Sequence, residues 1–182
     1  KNVIEMLTIN EKMMLVCNHT SYFDFWIMLI YCGSCPQLLS KIKVLVNEEI
    51  YRQYGWLISL IKCGPVHRKN NRGCADIIRE LPTSFIFIIT PKGCVSLRDW
   101  RTGWFYIACK TKANVVCGGL DYEKKRIVFS SSFYAWNNIA NVTELAKNNC
   151  QYAIPLYPHY CSSNLRSYNP RKVSVVSKDR KI

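Results

Sequence analysis

Asn18, His19, Thr20, Ser21, Tyr22, Phe23 and Asp24 form the stretch whose residue types and spacing point most directly to chemistry. Histidine titrates near neutrality, and an aspartate that accepts a hydrogen bond from one ring nitrogen fixes the tautomer. The other nitrogen is then available to take a proton. Positioned base catalysis of this sort is worth roughly 10²–10⁴ in rate. The spacing sets a condition. In a straight α-helix an offset of five residues rotates by about 500°, which leaves the two side chains about 140° apart. His19 and Asp24 can meet only where the backbone between them is irregular, as at a strand-to-helix junction. The same residues also suit a plain helix start, in which Thr20 or Ser21 caps and the His and Asp are incidental.

Other candidates are weaker. Cys32-Gly33-Ser34-Cys35 has the spacing of a thiol redox pair or half a zinc site. A redox pair should open a helix, whose dipole lowers the thiol pKa, and this one closes a helix instead. No second pair stands at zinc-finger spacing, so structural cysteines and no metal site are expected. Trp100, Trp104, Phe105 and Tyr106 lie among Arg98, Arg101 and Lys110. Such a cluster could stack bases, fill a core or meet a membrane interface, and core plus interface is the favoured reading. His67 reads as a solvated loop residue, and His159 has no acid close to it in sequence. Asn141-Val142-Thr143 matches a glycosylation sequon, without meaning in a reducing compartment.

The elements around the first stretch supply the junction it needs. Residues 13–17 are a short apolar run that suits a buried strand, residues 18–21 break it, and residues 22–31 read as a buried helix closed by Gly33 and Pro36. Residues 42–46 form a second strand. Asn47 is then an N-cap with Glu48 and Glu49 in the first turn, for a helix that runs to about Lys62 and stops at Gly64-Pro65. A basic loop follows over 67–72, then an amphipathic helix through Ile77, Ile78 and Leu81. Residues 84–90 are the clearest strand and should be central in a sheet. After a loop over 91–99 come a helix over 102–112, a strand over 114–120, a turn over 122–125, a strand over 126–131 and a helix over 142–152. Alternation of this kind predicts an α/β fold, a single domain with a largely parallel central sheet and helices on both faces.

The chain has 182 residues, enough to bury a core without staples, and its 49% hydrophobic and 20% charged content is that of a folded protein. The formal net charge is +13, which favours anionic partners such as nucleic acid, phosphorylated metabolites or an acidic membrane face. Ten cysteines could indicate a secreted disulfide scaffold. Several lie inside apolar runs, however, and no signal-peptide layout opens the chain, so free thiols and an intracellular location are expected. No apolar run reaches the ~18–20 residues that a bilayer span requires. The sequence begins at Lys1 rather than Met, which leaves room for an anchor upstream.

Asn18-His19-x4-Asp24 after an apolar strand resembles the first signature block of the glycerol-phosphate and lysophosphatidate acyltransferases. The resemblance continues in order. Gly64-Pro65-Val66-His67-Arg68 is similar to the second block, and Thr90-Pro91-Lys92-Gly93-Cys94-Val95-Ser96 stands where Pro-Glu-Gly-Thr-Arg-Ser is expected. Residues 100–108 resemble the segment that follows in bacterial-type members, and residues 113–116 and 120–122 fit the strand after it.

The resemblance implies transfer of a fatty acyl group from acyl-CoA or acyl-carrier protein, a co-substrate rather than a resident cofactor. The acceptor would be the hydroxyl of a glycerol-phosphate or lysophospholipid. His19 and Asp24 would be catalytic; Arg68, Lys92, Gly93, Cys94 and Ser96 would bind substrate. The third block departs from the pattern at Lys92, Cys94 and Val95, where the family has an acid, Thr and Arg, and the fourth lacks its usual Pro. A non-catalytic lipid- or acyl-CoA-binding descendant is the alternative. Residues 1–161 are then the acyltransferase domain and residues 162–182 a basic, loosely ordered tail. An anionic membrane surface is the expected partner, peripheral association at the cytoplasmic face the expected location, and no nucleic acid is expected.

Overall fold

The computed structural model describes residues 11–18, 21, 23–59, 64–66, 74–91, 100–135 and 138–150. In chain order the elements are β1 (Lys12–Cys17), α1 (Phe23–Gly33), α2 (Pro36–Leu39), β2 (Ile42–Asn47), α3 (Glu48–Ser59), β3 (Gly64–Val66) and α4 (Cys74–Glu80). They continue with β4 (Phe85–Ile89), α5 (Gly103–Thr111), β5 (Asn114–Asp121), β6 (Arg126–Phe129), β7 (Phe133–Tyr134) and α6 (Ile139–Cys150).

The strands form one sheet in the order β3-β2-β4-β1-β5-β6, with β7 also paired to β5. The first five of that order run parallel, and β6 and β7 are antiparallel to β5. The α/β architecture with a largely parallel sheet is therefore as the alternation of elements predicts. Strands β1 and β4 pair in register from Lys12↔Phe85 to Val16↔Ile89. Being flanked on both edges and covered on both faces, they are apolar almost throughout rather than alternating.

The two faces of the sheet bury two separate clusters. Met13, Leu15 and Cys17 point with Ile86, Ile88 and Val116 toward α1, α2 and α3, meeting Met28 and Leu38. Met14 and Val16 point with Phe85, Phe87 and Val115 to the opposite side, against Trp104, Ile107 and Ala108 of α5 and Val142 and Ala146 of α6. Each fully buried aliphatic side chain stabilises by about 1.5–3 kcal/mol relative to exposure. Trp104 lies in this second cluster and meets Trp100 and Phe105 edge-to-face, whereas Tyr106 faces outward with Lys110 over its ring. The aromatic cluster is thus chiefly core.

Three local differences from the sequence reading have simple causes. Gly64-Pro65-Val66 is a strand, pairing Leu45↔Gly64 to Asn47↔Val66. A proline fits there because, among the described residues, β3 pairs with β2 alone and stands at the edge of the sheet. Helix α6 starts at Ile139, three residues before position 142, because the Asn138 side chain accepts a hydrogen bond from Ala140 N at 2.8 Å and caps the first turn. Helix α3 is broken in the middle by Tyr54, whose φ of −121° is not helical, immediately before Gly55. Six described cysteines, Cys17, Cys35, Cys74, Cys109, Cys117 and Cys150, are free thiols. Hydrogen bonding to Cys117, followed by burial, pushes the Cys150 thiol well above the ordinary range.

Candidate active site

Strands β1, β4 and β3 are parallel, so their carboxyl ends, Cys17, Ile89 and Val66, lie along one edge of the sheet. From this edge the chain leaves β1 across one face, through α1, and leaves β4 across the other, through α5. Adjacent strands whose connections diverge in this way create the crevice at which open α/β sheets bind ligands. The first and third sequence blocks follow directly on a strand that ends here, and the second begins with β3 itself. His19 comes two residues after Cys17, Arg68 two after Val66 and Lys92 three after Ile89. His19, Arg68, Lys92, Gly93, Cys94 and Ser96 themselves lie outside the described residues, as do His67, His159 and the tail over 162–182.

Asp24 and its surroundings are described in atomic detail. Asn18 N donates to Gly118 O at 3.2 Å, which extends the β1–β5 ladder by one residue and ties the backbone just before His19 to β5. The strand then gives way to a helix through a capping box. Ser21 Oγ accepts from Phe23 N at 3.2 Å, and Asp24 reaches back so that Oδ2 accepts from Ser21 N at 2.8 Å. The turn is closed by Asp24 N donating to Ser21 O at 3.1 Å. Two otherwise orphaned backbone donors of the helix start are thereby satisfied by side chains. An acid in the first turn also meets the positive end of the helix dipole.

The second oxygen of Asp24 is engaged from far away in sequence. Tyr122, directly after β5, donates its hydroxyl to Asp24 Oδ1 at 2.5 Å across 98 residues. Asp24 is only 6% exposed. Burying a carboxylate is costly unless donors replace its water, and hydrogen bonds to a charged group contribute about 1.5–3 kcal/mol each. Strand β1 ends at Cys17 and helix α1 begins at Phe23, so the chain changes from strand to helix over the stretch that holds His19 and Asp24. The capping interpretation of the same stretch holds for Ser21 and is corrected for Asp24, which is not incidental to the helix start but the reciprocal partner of the cap.

Sequence reasoning missed Tyr122 as a member of this site, because nothing near it in the chain marks it as one. A cap at Thr20 or Ser21 was expected from the sequence, whereas the part that Asp24 plays in it was not. The other buried acid, Asp121, serves the hairpin: Arg126 Nε donates to Oδ2 at 3.0 Å and Lys124 N to Oδ1 at 3.1 Å. Lys125, with φ of 48°, completes this turn in the left-handed region. Among the described residues no group of His, Cys, Asp and Glu is arranged to hold a metal ion. Cys35 precedes α2 as a free thiol, and the side chain of Cys32 lies outside the described residues.

A family model for acyltransferases matches residues 2–117, which is well over half of the 182 residues. The chain belongs to the acyltransferase family. The match spans the first three sequence blocks and ends within β5, so the acyltransferase assignment rests on the part of the sheet that carries the carboxyl-edge crevice. Tyr122 lies beyond the matched region. Among curated proteins no match to the chain is found.

Proposed function

We propose that the protein transfers a fatty acyl group from a thioester, acyl-CoA or acyl-carrier protein, to the hydroxyl of a glycerol-phosphate or lysophospholipid, in phospholipid synthesis or remodelling. The observation that carries this reading is the strand-to-helix junction of β1 and α1. It fixes a buried Asp24 carboxylate at the carboxyl edge of the sheet, five residues after His19 in sequence. In this reading His19 removes the proton from the acceptor hydroxyl as that oxygen attacks the thioester carbonyl. The carbon–sulfur bond breaks, the thiolate leaves and takes up a proton, and no acyl-enzyme forms. Asp24 orients His19 and offsets the charge that develops on its ring.

Arg68 and Lys92 hold the acceptor phosphate, and Gly93, Cys94 and Ser96 line the same pocket. Strand spacing bears on their division of labour. Lys92 follows β4, which is next to β1, about 5 Å away, whereas Arg68 follows β3, about 14 Å away. The end of β4 that leads into Lys92 is therefore nearer the end of β1 than is the end of β3 that leads into Arg68. The Lys92 ammonium takes over part of the charge that the family's arginine supplies at position 95, where this chain has Val95.

The acyl substrates reside in or near a bilayer, and the protein acts at an anionic membrane surface as a peripheral protein. The net charge of +13 supports this. So does the outer side of α1, where Phe23, Ile27 and Ile30 recur at helical spacing and are 58%, 36% and 71% exposed. Among the described residues no helix is long and apolar enough to cross a membrane. Lys92, Cys94 and Val95 favour one second reading, a lipid- or acyl-CoA-binding protein of the same fold without turnover. Thiol release from a panel of acyl-CoAs, with glycerol 3-phosphate and several lysophospholipids as acceptors, separates the two. Acceptor-dependent release, with a changed acceptor profile in Lys92→Glu, is the expected result. Folded protein that binds acyl-CoA without releasing thiol supports the second reading.

A further inference from the structure

We infer that Tyr122 is a positioning residue of the acyl-transfer site, acting through Asp24; this rests on the acyltransferase reading given above. The observation is the hydrogen bond from the Tyr122 hydroxyl to Asp24 Oδ1 at 2.5 Å, between residues 98 apart in sequence. It is made at a carboxylate whose other oxygen accepts from Ser21 N at 2.8 Å.

The two donors come from independent parts of the fold. Ser21 belongs to the helix start itself and would move with it. Tyr122 directly follows β5, and its position is fixed by the β5–β6 hairpin. Asp121 pairs in register with Arg126, and its buried carboxylate binds Arg126 Nε at 3.0 Å and Lys124 N at 3.1 Å. The Tyr122 ring also packs against the core cluster beneath α1. A carboxylate held by a single donor can still turn about its last side-chain bond. One held at each oxygen by donors from two separate elements cannot turn without breaking both bonds. Tyr122 thereby fixes the plane of the Asp24 carboxylate relative to the sheet. An imidazole oriented by that carboxylate inherits the same reference frame. Small misplacements of a reacting group lower the rate far more than they lower affinity, since the acceptor phosphate is bound elsewhere.

A purely structural bond makes a different forecast. It would tie α1 to the sheet, and its loss would lower stability without touching turnover. The test is a double-mutant cycle on thiol release with the full-length protein, comparing wild type, Tyr122→Phe, Asp24→Asn and the double variant. Tyr122→Phe removes one oxygen and keeps the ring, and circular dichroism at the assay temperature verifies that each variant is folded. The expected result is a fall in kcat of about tenfold or more with KM nearly unchanged in Tyr122→Phe. No further fall is expected when the same change is made in Asp24→Asn. Unchanged kcat in folded Tyr122→Phe, beside a strongly impaired Asp24→Asn, overturns the positioning role and leaves the acyltransferase reading intact. Losses that simply multiply in the double variant also overturn it. Full activity of Asp24→Asn overturns the catalytic role of that carboxylate, and the role of Tyr122 with it.

Discussion

Asp24 has two structural duties that can be weighed separately from any catalytic one. Its Oδ2 accepts from the Ser21 backbone and its Oδ1 from the Tyr122 hydroxyl, in a position that is nearly closed to solvent. The reciprocal half of the box is the Ser21 hydroxyl, which accepts from Phe23 N at 3.2 Å. Ser21→Ala removes that acceptor and leaves the backbone donor to Asp24 in place. Loss of a cap of this type costs about 0.5–2 kcal/mol, and Ser21 is itself buried, so urea unfolding should show a lower midpoint with the same slope. An unchanged midpoint would mean that water or another group takes over the Phe23 amide. Because the Asp24 bonds survive in this variant, its turnover should fall far less than that of Asp24→Asn.

At the scale of elements, the site depends on how closely β1 and β5 approach. Gly118 pairs with Cys17 on one side and Phe129 on the other, and its carbonyl receives the Asn18 amide. A Cβ there would lie 3.2 Å from the Phe129 ring and 3.3 Å from Leu15 Cδ1, so both neighbours would have to shift. Gly118→Val should therefore destabilise by about 1–3 kcal/mol, measured by thermal or urea unfolding, and a neutral result would show that the strand ends are loosely packed.

Most of these elements were legible beforehand because β1, β4 and β5 are continuous apolar runs bounded by polar breaks, the pattern of buried parallel strands. The β3 strand was not. Three residues that include a proline carry no periodicity, and only pairing with Leu45–Asn47 makes them a strand. At the site, the change from strand to helix between Cys17 and Phe23 could be anticipated from spacing and local polarity. Tyr122 could not, because its partner is 98 residues away and only the order β1-β5 brings the two together.

At the scale of the whole molecule, charge and surface act together. The formal net charge is +13, and the outer side of α1 shows Phe23, Ile27 and Ile30 to solvent, with Trp56 of α3 74% exposed. Trp26 of α1 and Tyr54 of α3 meet edge-to-face at 5.3 Å, so the two helices are adjacent. Apolar and aromatic side chains on a basic protein suit an anionic bilayer interface. Sedimentation with vesicles should show binding that requires anionic lipid and weakens with salt, and that is reduced further in Ile27→Glu/Ile30→Glu. Equal binding to neutral vesicles, or no effect of the double substitution, would remove α1 from the docking face.

The proposed role of His19, ahead of an Asp24 that is hydrogen-bonded at both oxygens, is that of the base for acyl transfer. Its most direct test is thiol release from a long-chain acyl-CoA with lysophosphatidate as acceptor, on anionic vesicles, for wild type and His19→Ala side by side. Acceptor-dependent release by wild type that falls by a factor of roughly 10²–10⁴ in folded His19→Ala is the result expected. Equal release by the two proteins would contradict the claim and place the chemistry elsewhere on the molecule.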